Sequence, residues 1–194
     1  MNPKQQAEWL FNFWHDKPFS LRVVCEVGVG EWSLLSEFRH LADRTVLVEP
    51  NPGMAKSSRK NFPWAEIHEI AIGNDLSVRH LRLVGEHSFV TNTWSPVLSE
   101  RPRWARKHAV RNVPVVTFDK IDTGGNIDVM NVSCCGSEMR VLERLKSVPR
   151  ILCVETHPGN PELPAILGWF SGKGYEKVGG YENKSVFRLD EQAT

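Results

Sequence analysis

Residues 25–33 read CEVGVGEWS and follow directly on the largely apolar run LRVV. Two glycines one residue apart, Gly28 and Gly30, are typical of the tight turn between a strand and a helix in nucleotide-binding folds. The third glycine of a dinucleotide fingerprint is absent, and a tryptophan and a serine occupy its region. Glu26 adds a carboxylate near the end of the strand. The stretch therefore predicts an α/β nucleotide-binding fold, and it argues against a dinucleotide as the ligand.

The composition is that of an ordinary soluble globular protein. The chain has 194 residues, of which 41% are hydrophobic and 24% charged, and its formal net charge is +1. A domain of this length buries about 70% of the surface of its unfolded chain. We predict one domain over residues 1–194, with residues 1–20 as a helical extension. Without a strong basic excess, nucleic acid is not expected as a partner.

The cysteines and the apolar runs predict a cytoplasmic location. The four cysteines form no CxxC pair and have no zinc-type spacing, so they are expected to be reduced and buried. No apolar run is long enough to cross a membrane, and the N-terminus lacks the apolar core of a signal peptide. The aromatic residues of the extension suit a helix packed on the domain edge. Membrane contact by that helix is the less favoured alternative, because few cationic residues accompany it.

The order of strand and helix patterns predicts a Rossmann-like α/β fold. Short β-branched runs alternate with helical patterns, which is typical of parallel strands joined by crossover helices. We predict sheet strands at residues 22–27, 45–49, 66–72, 127–132 and 150–155, and helices near residues 32–41, 53–61, 137–147 and 162–172. VRHLRLV and VPVVTF form an extra strand pair, and a hairpin around residues 182–184 closes the chain. The sheet is expected to be mostly parallel, with helices on both faces and an antiparallel C-terminal strand.

In such a sheet, ligands bind at the carboxyl ends of the strands. S-adenosylmethionine carries an ammonium and a carboxylate at one end, a sulfonium in the middle and an adenosine at the other end. Glu26 is suited to the ammonium, directly or through water, and the glycine turn leaves room for the ligand. Glu49 ends the second strand 21 positions after Gly28, where a carboxylate can accept hydrogen bonds from ribose hydroxyls. NAD sites share this feature, and a solvated strand-end carboxylate is the other interpretation. Backbone groups of Ala71 and Ile72 are expected beside the adenine.

Six segments together resemble the FkbM-type methyltransferases, which are class I, S-adenosylmethionine-dependent enzymes. The segments are VVCEVGVGEWS, VLVEPNP, EIHEIAIGND, VPVVTFDKI, IDVMNVSCCGSEMRVLERL and ILCVETHPG, and the resemblance covers roughly residues 23–188. The resemblance implies a class I methyltransferase fold and O-methylation, often of sugars in surface glycans, antibiotics or other natural products. It places the methionine end of the methyl donor at Glu26, Gly28 and Gly30, the ribose at Glu49 and Asn51, and the adenine at Ala71. Asp119 matches an acidic family position that we interpret as a turn or cap.

The chain departs from the family after its fourth sheet strand. Where the family typically reads Lys-Ile-Asp-Val-Glu-Gly, residues 131–136 read NVSCCG. Some related O-methyltransferases use a divalent metal, held by strand-end carboxylates, to acidify the acceptor hydroxyl. Ser133 is a poor ligand for such a cation. The sequence therefore does not favour a metal, although Glu155 would still be available to one.

The end of the fifth sheet strand supplies the candidate catalytic residues. Alternation along the strand places Glu155 and His157 on the same side. A histidine there is suited to act as a general base, oriented by the carboxylate, and Ser133 completes the candidate catalytic set. The alternative is that His157 packs on Pro158 and caps the loop. His87 is a second candidate base.

The acceptor and the partners are less determined by the sequence. SERPRWARKHAVR, residues 99–111, offers Arg101, Arg103, Arg106, Lys107, His108, Arg111 and Trp104. This stretch either binds a phosphate and stacks a sugar ring on the indole, or is a solvated basic helix face. The leading hypothesis is an O-methyltransferase acting on a sugar or glycan. Alternatives are a non-catalytic S-adenosylmethionine-binding module associated with glycan biosynthesis, for example as a partner of a glycosyltransferase, and an O-methyltransferase of a small natural product. An NAD-dependent oxidoreductase is the least favoured.

Overall fold

The computed structural model describes residues 3–12, 20–30, 33–85, 87–91, 94–95 and 108–190. In chain order, the elements of these ranges are α1 (Pro3–Asn12), β1 (Leu21–Val27), a 3₁₀ helix (Ser36–His40), β2 (Ala42–Val48), α2 (Pro52–Asn61), β3 (Glu66–His68), β4 (Ala71–Ile72), β5 (Ser77–Arg82), β6 (Phe89–Val90), β7 (Val110–Val116), a second 3₁₀ helix (Phe118–Lys120), β8 (Val129–Val132), α3 (Glu138–Leu142), β9 (Ile151–Glu155), α4 (Leu163–Gly172), β10 (Tyr175–Tyr181) and β11 (Lys184–Leu189).

A seven-stranded sheet in the order β10-β11-β9-β8-β1-β2-β3 forms the centre of the molecule. Strands β3, β2, β1, β8 and β9 are parallel, whereas β11 is antiparallel to both β9 and β10. This confirms the predicted parallel sheet with an antiparallel C-terminal strand. The carboxyl ends of β1, β2, β8 and β9 lie at one edge of the sheet, and β11 begins at that same edge because it runs in the opposite direction.

Alternating side chains bury both faces of this sheet. Val23, Cys25 and Val27 of β1 pack on the side that α3 and α4 cover. Val24 belongs to the opposite cluster, which contains Leu10 of α1 and three apolar side chains of the segment 34–38. Helical segments therefore cover both faces, as predicted, and α1 lies within the predicted N-terminal extension.

A smaller sheet, in the order β4-β7-β5-β6, flanks the carboxyl edge of the main sheet. Its strands β5 and β7 are the predicted extra pair and are antiparallel. The hairpin of β10 and β11, with its turn at Glu182 and Asn183, is confirmed as well.

Three predicted elements differ in the structure. The strand predicted at residues 66–72 is divided between two sheets: β3 pairs with β2, whereas β4 pairs with β7, and Gly73 N donates to Val116 O at 2.9 Å. The helix predicted at residues 32–41 is only the short 3₁₀ helix, and residues 31 and 32 lie outside the described ranges. Immediately before it, Ser33 and Leu34 bind the Glu26 carboxylate, which favours a turn there over a longer helix.

The helix predicted at residues 137–147 is also shorter, since α3 ends at Leu142. All four cysteines are free, and three of them are buried. Of the helices in the described ranges, none has the length and apolar character needed to cross a membrane.

Candidate functional site

The glycine turn after β1 fits tightly against the end of β8. Gly28 has a φ of +82° and Gly30 one of +62°, a left-handed conformation that glycine adopts without strain. The Gly28 amide donates to Val48 O at 2.9 Å. A β-carbon on Gly28 would lie 1.9 Å from the carbonyl oxygen of Ser133. A residue without a side chain is therefore needed at position 28 for the turn to reach both neighbouring strands.

Glu49, at the end of β2, binds this turn. Its Oε2 atom accepts from the amides of Val29 and Gly30, both at 3.0 Å, and its Oε1 atom accepts from the amide of Asn51 at 2.8 Å. The side chain is only 5% exposed. Burial raises the pKa of Glu49, and the three amide hydrogen bonds oppose that rise. The carboxylate thus connects the ends of β1 and β2.

Asn51 joins the end of β2 to the smaller sheet. Its Oδ1 atom accepts from the Gly53 amide at 3.0 Å and caps helix α2. Its Nδ2 group donates to Gly85 O at 3.2 Å and to Ser88 Oγ at 3.0 Å. The segment leading into β6 is therefore bound directly to the strand end that carries Glu49.

These elements surround one narrow cleft. Its lining includes Gly28, Glu49, Ala71, Ile72 and Ser133, so four of the residues predicted to bind the methyl donor and one candidate catalytic residue share it. Gly30 and Asn51 are joined to the cleft through their hydrogen bonds to Glu49.

The cleft is nearly closed in this conformation. Its volume is ≈ 30 Å³, whereas small-molecule sites typically measure about 300–1,000 Å³. Phe89 of β6 also lines the cleft and packs on Cys135 and Val84. A ligand of nucleotide size therefore requires the segment around Phe89, or the glycine turn, to move.

Glu26 lies behind the cleft, and its carboxylate accepts hydrogen bonds from neighbouring protein groups. Its Oε2 atom accepts from Ser33 Oγ at 2.5 Å, and its Oε1 atom accepts from Asn131 Nδ2 at 2.7 Å and from the Leu34 amide at 3.2 Å. The residue is 1% exposed. Burial raises its pKa to about 7, against the opposing effects of these hydrogen bonds and of the Lys184 charge. Contact between Glu26 and a ligand ammonium would require one of these partners to be exchanged.

The loop after β8 is held from inside by a third buried carboxylate, Glu138. Cys135 and Gly136 have φ values of +50° and +92°. The Glu138 carboxylate accepts from the amides of Cys134 and Gly136 at 3.0 Å, and from Asn160 Nδ2 at 3.4 Å. Burial, together with the charge of Glu155, raises the pKa of Glu138 to about 7. This acid therefore joins the loop after β8 to the loop after β9.

His157 follows β9 outside the narrow cleft. Its Nδ1 atom accepts from the Gly159 amide at 3.0 Å, and its ring lies against the Trp94 indole with the centroids 5.2 Å apart. A neutral imidazole that accepts through Nδ1 carries its proton on Nε2. The ring must therefore give up the Gly159 bond before Nδ1 can take a proton. Glu155 precedes it at the strand end and is partly exposed.

Three residues that the sequence interpretation left out contribute to this edge. Lys184 Nζ donates to Ser133 Oγ, Glu138 holds the loop described above, and Trp94 packs between Gly136 and His157. Of these three contacts, only that of Glu138 could be expected from the local sequence, because Glu138 follows its loop by a few residues. The contacts of Lys184 and Trp94 come from segments far away in the sequence.

Other predicted residues lie elsewhere or outside the described ranges. His87 is exposed on the segment before β6, and residues 101–107 of the basic stretch lie outside the described ranges.

Asp119 belongs to the second 3₁₀ helix, where a hydrogen bond from Thr117 lowers its pKa. It lines a cavity of ≈ 360 Å³ formed by the loop before β8 and the segment 145–147 that follows α3, at the opposite edge of the sheet. Within the described part of the chain, no group of three or more His, Cys, Asp or Glu residues is placed to hold a metal ion.

No protein-family model and no curated protein matches this chain. Solved structures do match it. The TehB-like S-adenosylmethionine-dependent methyltransferase of Corynebacterium glutamicum is 9% identical, with a TM-score of 0.51, over 95% of this chain and 87% of that one.

Two further methyltransferases superpose equally well. Magnesium protoporphyrin IX methyltransferase of Synechocystis, solved with bound S-adenosylmethionine, is 9% identical with a TM-score of 0.53, over 97% of this chain and 78% of that one. The N-methyltransferase NodS of Bradyrhizobium japonicum, in complex with S-adenosylhomocysteine, is 7% identical with a TM-score of 0.53, over 97% and 87%. Identities this low establish the fold alone. The chain thus has the predicted Rossmann-like class I methyltransferase fold.

Proposed function

We propose that this protein, with its class I methyltransferase fold, transfers a methyl group from S-adenosylmethionine to a hydroxyl of a sugar or glycan, as an FkbM-type enzyme would. One observation carries the proposal: Glu49 and the glycine turn are hydrogen-bonded at the edge of a cleft that Ala71 and Ile72 also line. This arrangement supports a site in which the Glu49 carboxylate would accept from the ribose and the adjacent backbone of Ala71 and Ile72 would lie beside the adenine.

Binding of the methyl donor would begin at Glu49. Its carboxylate can accept hydrogen bonds from both ribose hydroxyls once it releases the amides of Val29 and Gly30. The same exchange frees the glycine turn to move and widens the cleft. The carboxylate thereby exchanges hydrogen bonds from amides for hydrogen bonds from hydroxyls, and the two released amides need new acceptors as the turn moves.

The transfer itself is an in-line displacement. The acceptor oxygen attacks the methyl carbon, the carbon–sulfur bond breaks, and its electron pair stays on sulfur to give S-adenosylhomocysteine. The acceptor proton needs a base. Because His157 Nδ1 is engaged with Gly159, we place Glu155 ahead of His157 as the proton acceptor. Ser133, on the cleft wall, would hold the acceptor.

The second candidate is a non-catalytic module that binds the methyl donor. Two observations favour it: the acidic residues of the family motif are missing at residues 131–136, and the cleft has a volume of only ≈ 30 Å³. This module would bind S-adenosylmethionine without consuming it.

Mass spectrometry of acceptors incubated with the protein tests the proposal. The panel contains monosaccharides including deoxyhexoses, glycans, their amino-sugar counterparts and small phenolic natural products, each with S-adenosylmethionine and with or without a chelator. The expected result is a methylated sugar and an equal amount of S-adenosylhomocysteine, with no effect of the chelator. Binding of the methyl donor without any methylated product would support the module, and the absence of both would reject a role in methyl transfer.

A further inference from the structure

Lys184 brings a positive charge to the edge where β8 and β9 end. It is the first residue of β11 and is directly opposite Glu155 in the antiparallel pair of β11 and β9. Side chains in such a pair lie about 5 Å apart at their β-carbons and point to the same face of the sheet. Lys184 is partly buried, and its Nζ atom reaches across β9 to donate to Ser133 Oγ.

Ser133 connects this ammonium to the cleft. The Ser133 carbonyl packs against Gly28, and Ser133 lines the cleft. An ammonium has three N–H groups, and the hydrogen bonds in the described ranges use one of them for Ser133. The other N–H groups are available to an oxygen atom placed next to the Ser133 hydroxyl.

The positive charge of Lys184 affects the pKa values of several groups at this edge. It opposes the rise that burial causes in the pKa values of Glu26, Cys135 and Cys153. Glu155 faces it from β9. A polar chain leads from Ser133 through Asn131 to Glu26, with Ser133 Oγ 3.5 Å from Asn131 Oδ1 and Asn131 Nδ2 2.7 Å from Glu26 Oε1. Lys184 thus brings a positive charge close to two carboxylates, Glu155 of β9 and Glu26 of β1.

We infer that the Lys184 ammonium, held in place by Ser133, is the cation that stabilises the acceptor oxygen during methyl transfer, so that the site favours hydroxyl acceptors over amines. This inference rests on the proposed function. In that reaction an attacking hydroxyl develops negative charge as it loses its proton, and an ammonium lowers the energy of that charge. An attacking amine becomes positively charged instead, and the same ammonium repels it.

The methyl transfer itself involves the acceptor, the methyl donor, Glu155 and Lys184. The acceptor oxygen forms its bond to the methyl carbon while the carbon–sulfur bond breaks towards sulfur. Its proton passes to the Glu155 carboxylate and then to water. Lys184 remains an ammonium throughout and provides hydrogen bonds and charge. The chain thus supplies with its own side chain the positive charge that a divalent metal would bring.

Three variants test the role of Lys184 on the hydroxyl acceptor that the panel identifies. Lys184→Met removes the charge but keeps much of the length, Lys184→Arg keeps the charge, and Lys177→Met changes an exposed lysine of the same hairpin. We expect Lys184→Met to lower the transfer rate at neutral pH about 100-fold, the loss typical of removing one such stabilising group. Its affinity for S-adenosylhomocysteine, measured by calorimetry, should stay within about threefold of the wild type. Lys184→Arg should recover most of the rate, and Lys177→Met should match the wild type.

Two further readouts separate this role from a structural one. The deficit of Lys184→Met should shrink as the pH rises, because hydroxide ionises the acceptor when the ammonium is missing. The preference of the wild type for a sugar hydroxyl over the corresponding amino sugar should fall in Lys184→Met. If Lys184→Met transfers at the wild-type rate, or loses rate only in parallel with its free energy of unfolding and affinity, the inference is wrong while the proposed function stands. If the wild type methylates nothing, the proposed function fails and this inference fails with it.

Discussion

The proposed methyl-donor side, at the ends of β1 and β2, and the proposed acceptor side, at the ends of β8 and β9, are built in different ways. On the donor side, Glu49 binds amides that are at most 20 residues away in the chain. On the acceptor side, the bond between Lys184 and Ser133 spans 51 residues, and the bond between Asn160 and Glu138 spans 22. The comparison teaches that the Glu49 hydrogen bonds follow from turns close by in the chain, whereas the bond of Lys184 to Ser133 depends on the register of β11 against β9.

Gly28→Ala should have the largest effect on stability, because the donor side depends on close backbone approach. The substitution places a β-carbon 1.9 Å from Ser133 O and forces a left-handed φ of +82° on alanine. We expect a loss of about 4 kcal/mol in the free energy of unfolding, from overpacking and backbone strain together. Urea denaturation measures this loss. Gly168→Ala is the control, since its β-carbon meets no atom within 4 Å in helix α4, and it should be neutral or stabilising. Equal effects of the two substitutions would contradict this account of the turn.

Glu138→Ala tests the acceptor side in the same way. It leaves the amides of Cys134 and Gly136 and the amide group of Asn160 without their buried acceptor. The expected loss is about 3 kcal/mol in the free energy of unfolding. Glu138→Gln retains one acceptor oxygen and should lose less. A Glu138→Ala protein as stable as the wild type would show that this loop does not depend on its internal carboxylate.

The pH dependence of stability tests the protonation of Glu26, the buried carboxyl group that lies between the two sides. The pKa of Glu26 rises from 4.5 to about 7 on folding, so the folded state holds the proton more tightly than the unfolded state. Its contribution to stability is therefore fully present below the unfolded pKa and is lost as the pH rises through about 7. Between about pH 5 and about pH 7.5 this costs about 2 kcal/mol.

Denaturation of Glu26→Gln across that pH range is the measurement. The variant cannot ionise at this position, so its stability should fall less steeply with pH than that of the wild type. Glu138, with its own raised pKa, still contributes to the slope in both proteins. Superimposable pH profiles would mean that Glu26 does not change its protonation on folding.

Substitutions of Asn51 and Ser88 on the donor side should lower the stability by smaller amounts that can be measured separately. Asn51→Ala removes both the cap on Gly53 and the contacts to Gly85 and Ser88. Ser88→Ala keeps the cap but removes the contact to Asn51 and the hydrogen bonds of Ser88 Oγ with the Val84 amide and the Gly85 carbonyl. We expect losses of about 2 kcal/mol for Asn51→Ala, which loses the cap of α2, and about 1 kcal/mol for Ser88→Ala, whose hydrogen bonds lie within one turn. Thermal unfolding of the two variants decides this, and a larger loss for Ser88→Ala would contradict it.

The same difference between the two sides explains what the sequence can predict. The glycine turn, Glu49 and the Asn51 cap are encoded within short segments, so their positions follow from motif spacing. Residues 66–72 show where local patterns fail: the single strand predicted for EIHEIAI is divided between two sheets, and only the pairing with β7 makes the division visible. Lys184 was missed for a related reason, because its position depends on the register between β11 and β9. Glu26 was placed at the right strand end, but its partners Ser33 and Asn131 come from tertiary packing.

Calorimetric titration with S-adenosylhomocysteine tests the central claim most directly, since the claim is that the edge formed by the glycine turn and Glu49 binds the methyl donor. The wild type, Glu49→Gln and the exposed control Glu66→Gln are compared. The account predicts saturable binding to the wild type and the control, with affinity reduced about 10- to 100-fold in Glu49→Gln because a charged acceptor of the ribose hydroxyls is lost. Absence of binding to the wild type at millimolar ligand, or equal affinity in all three proteins, would contradict it.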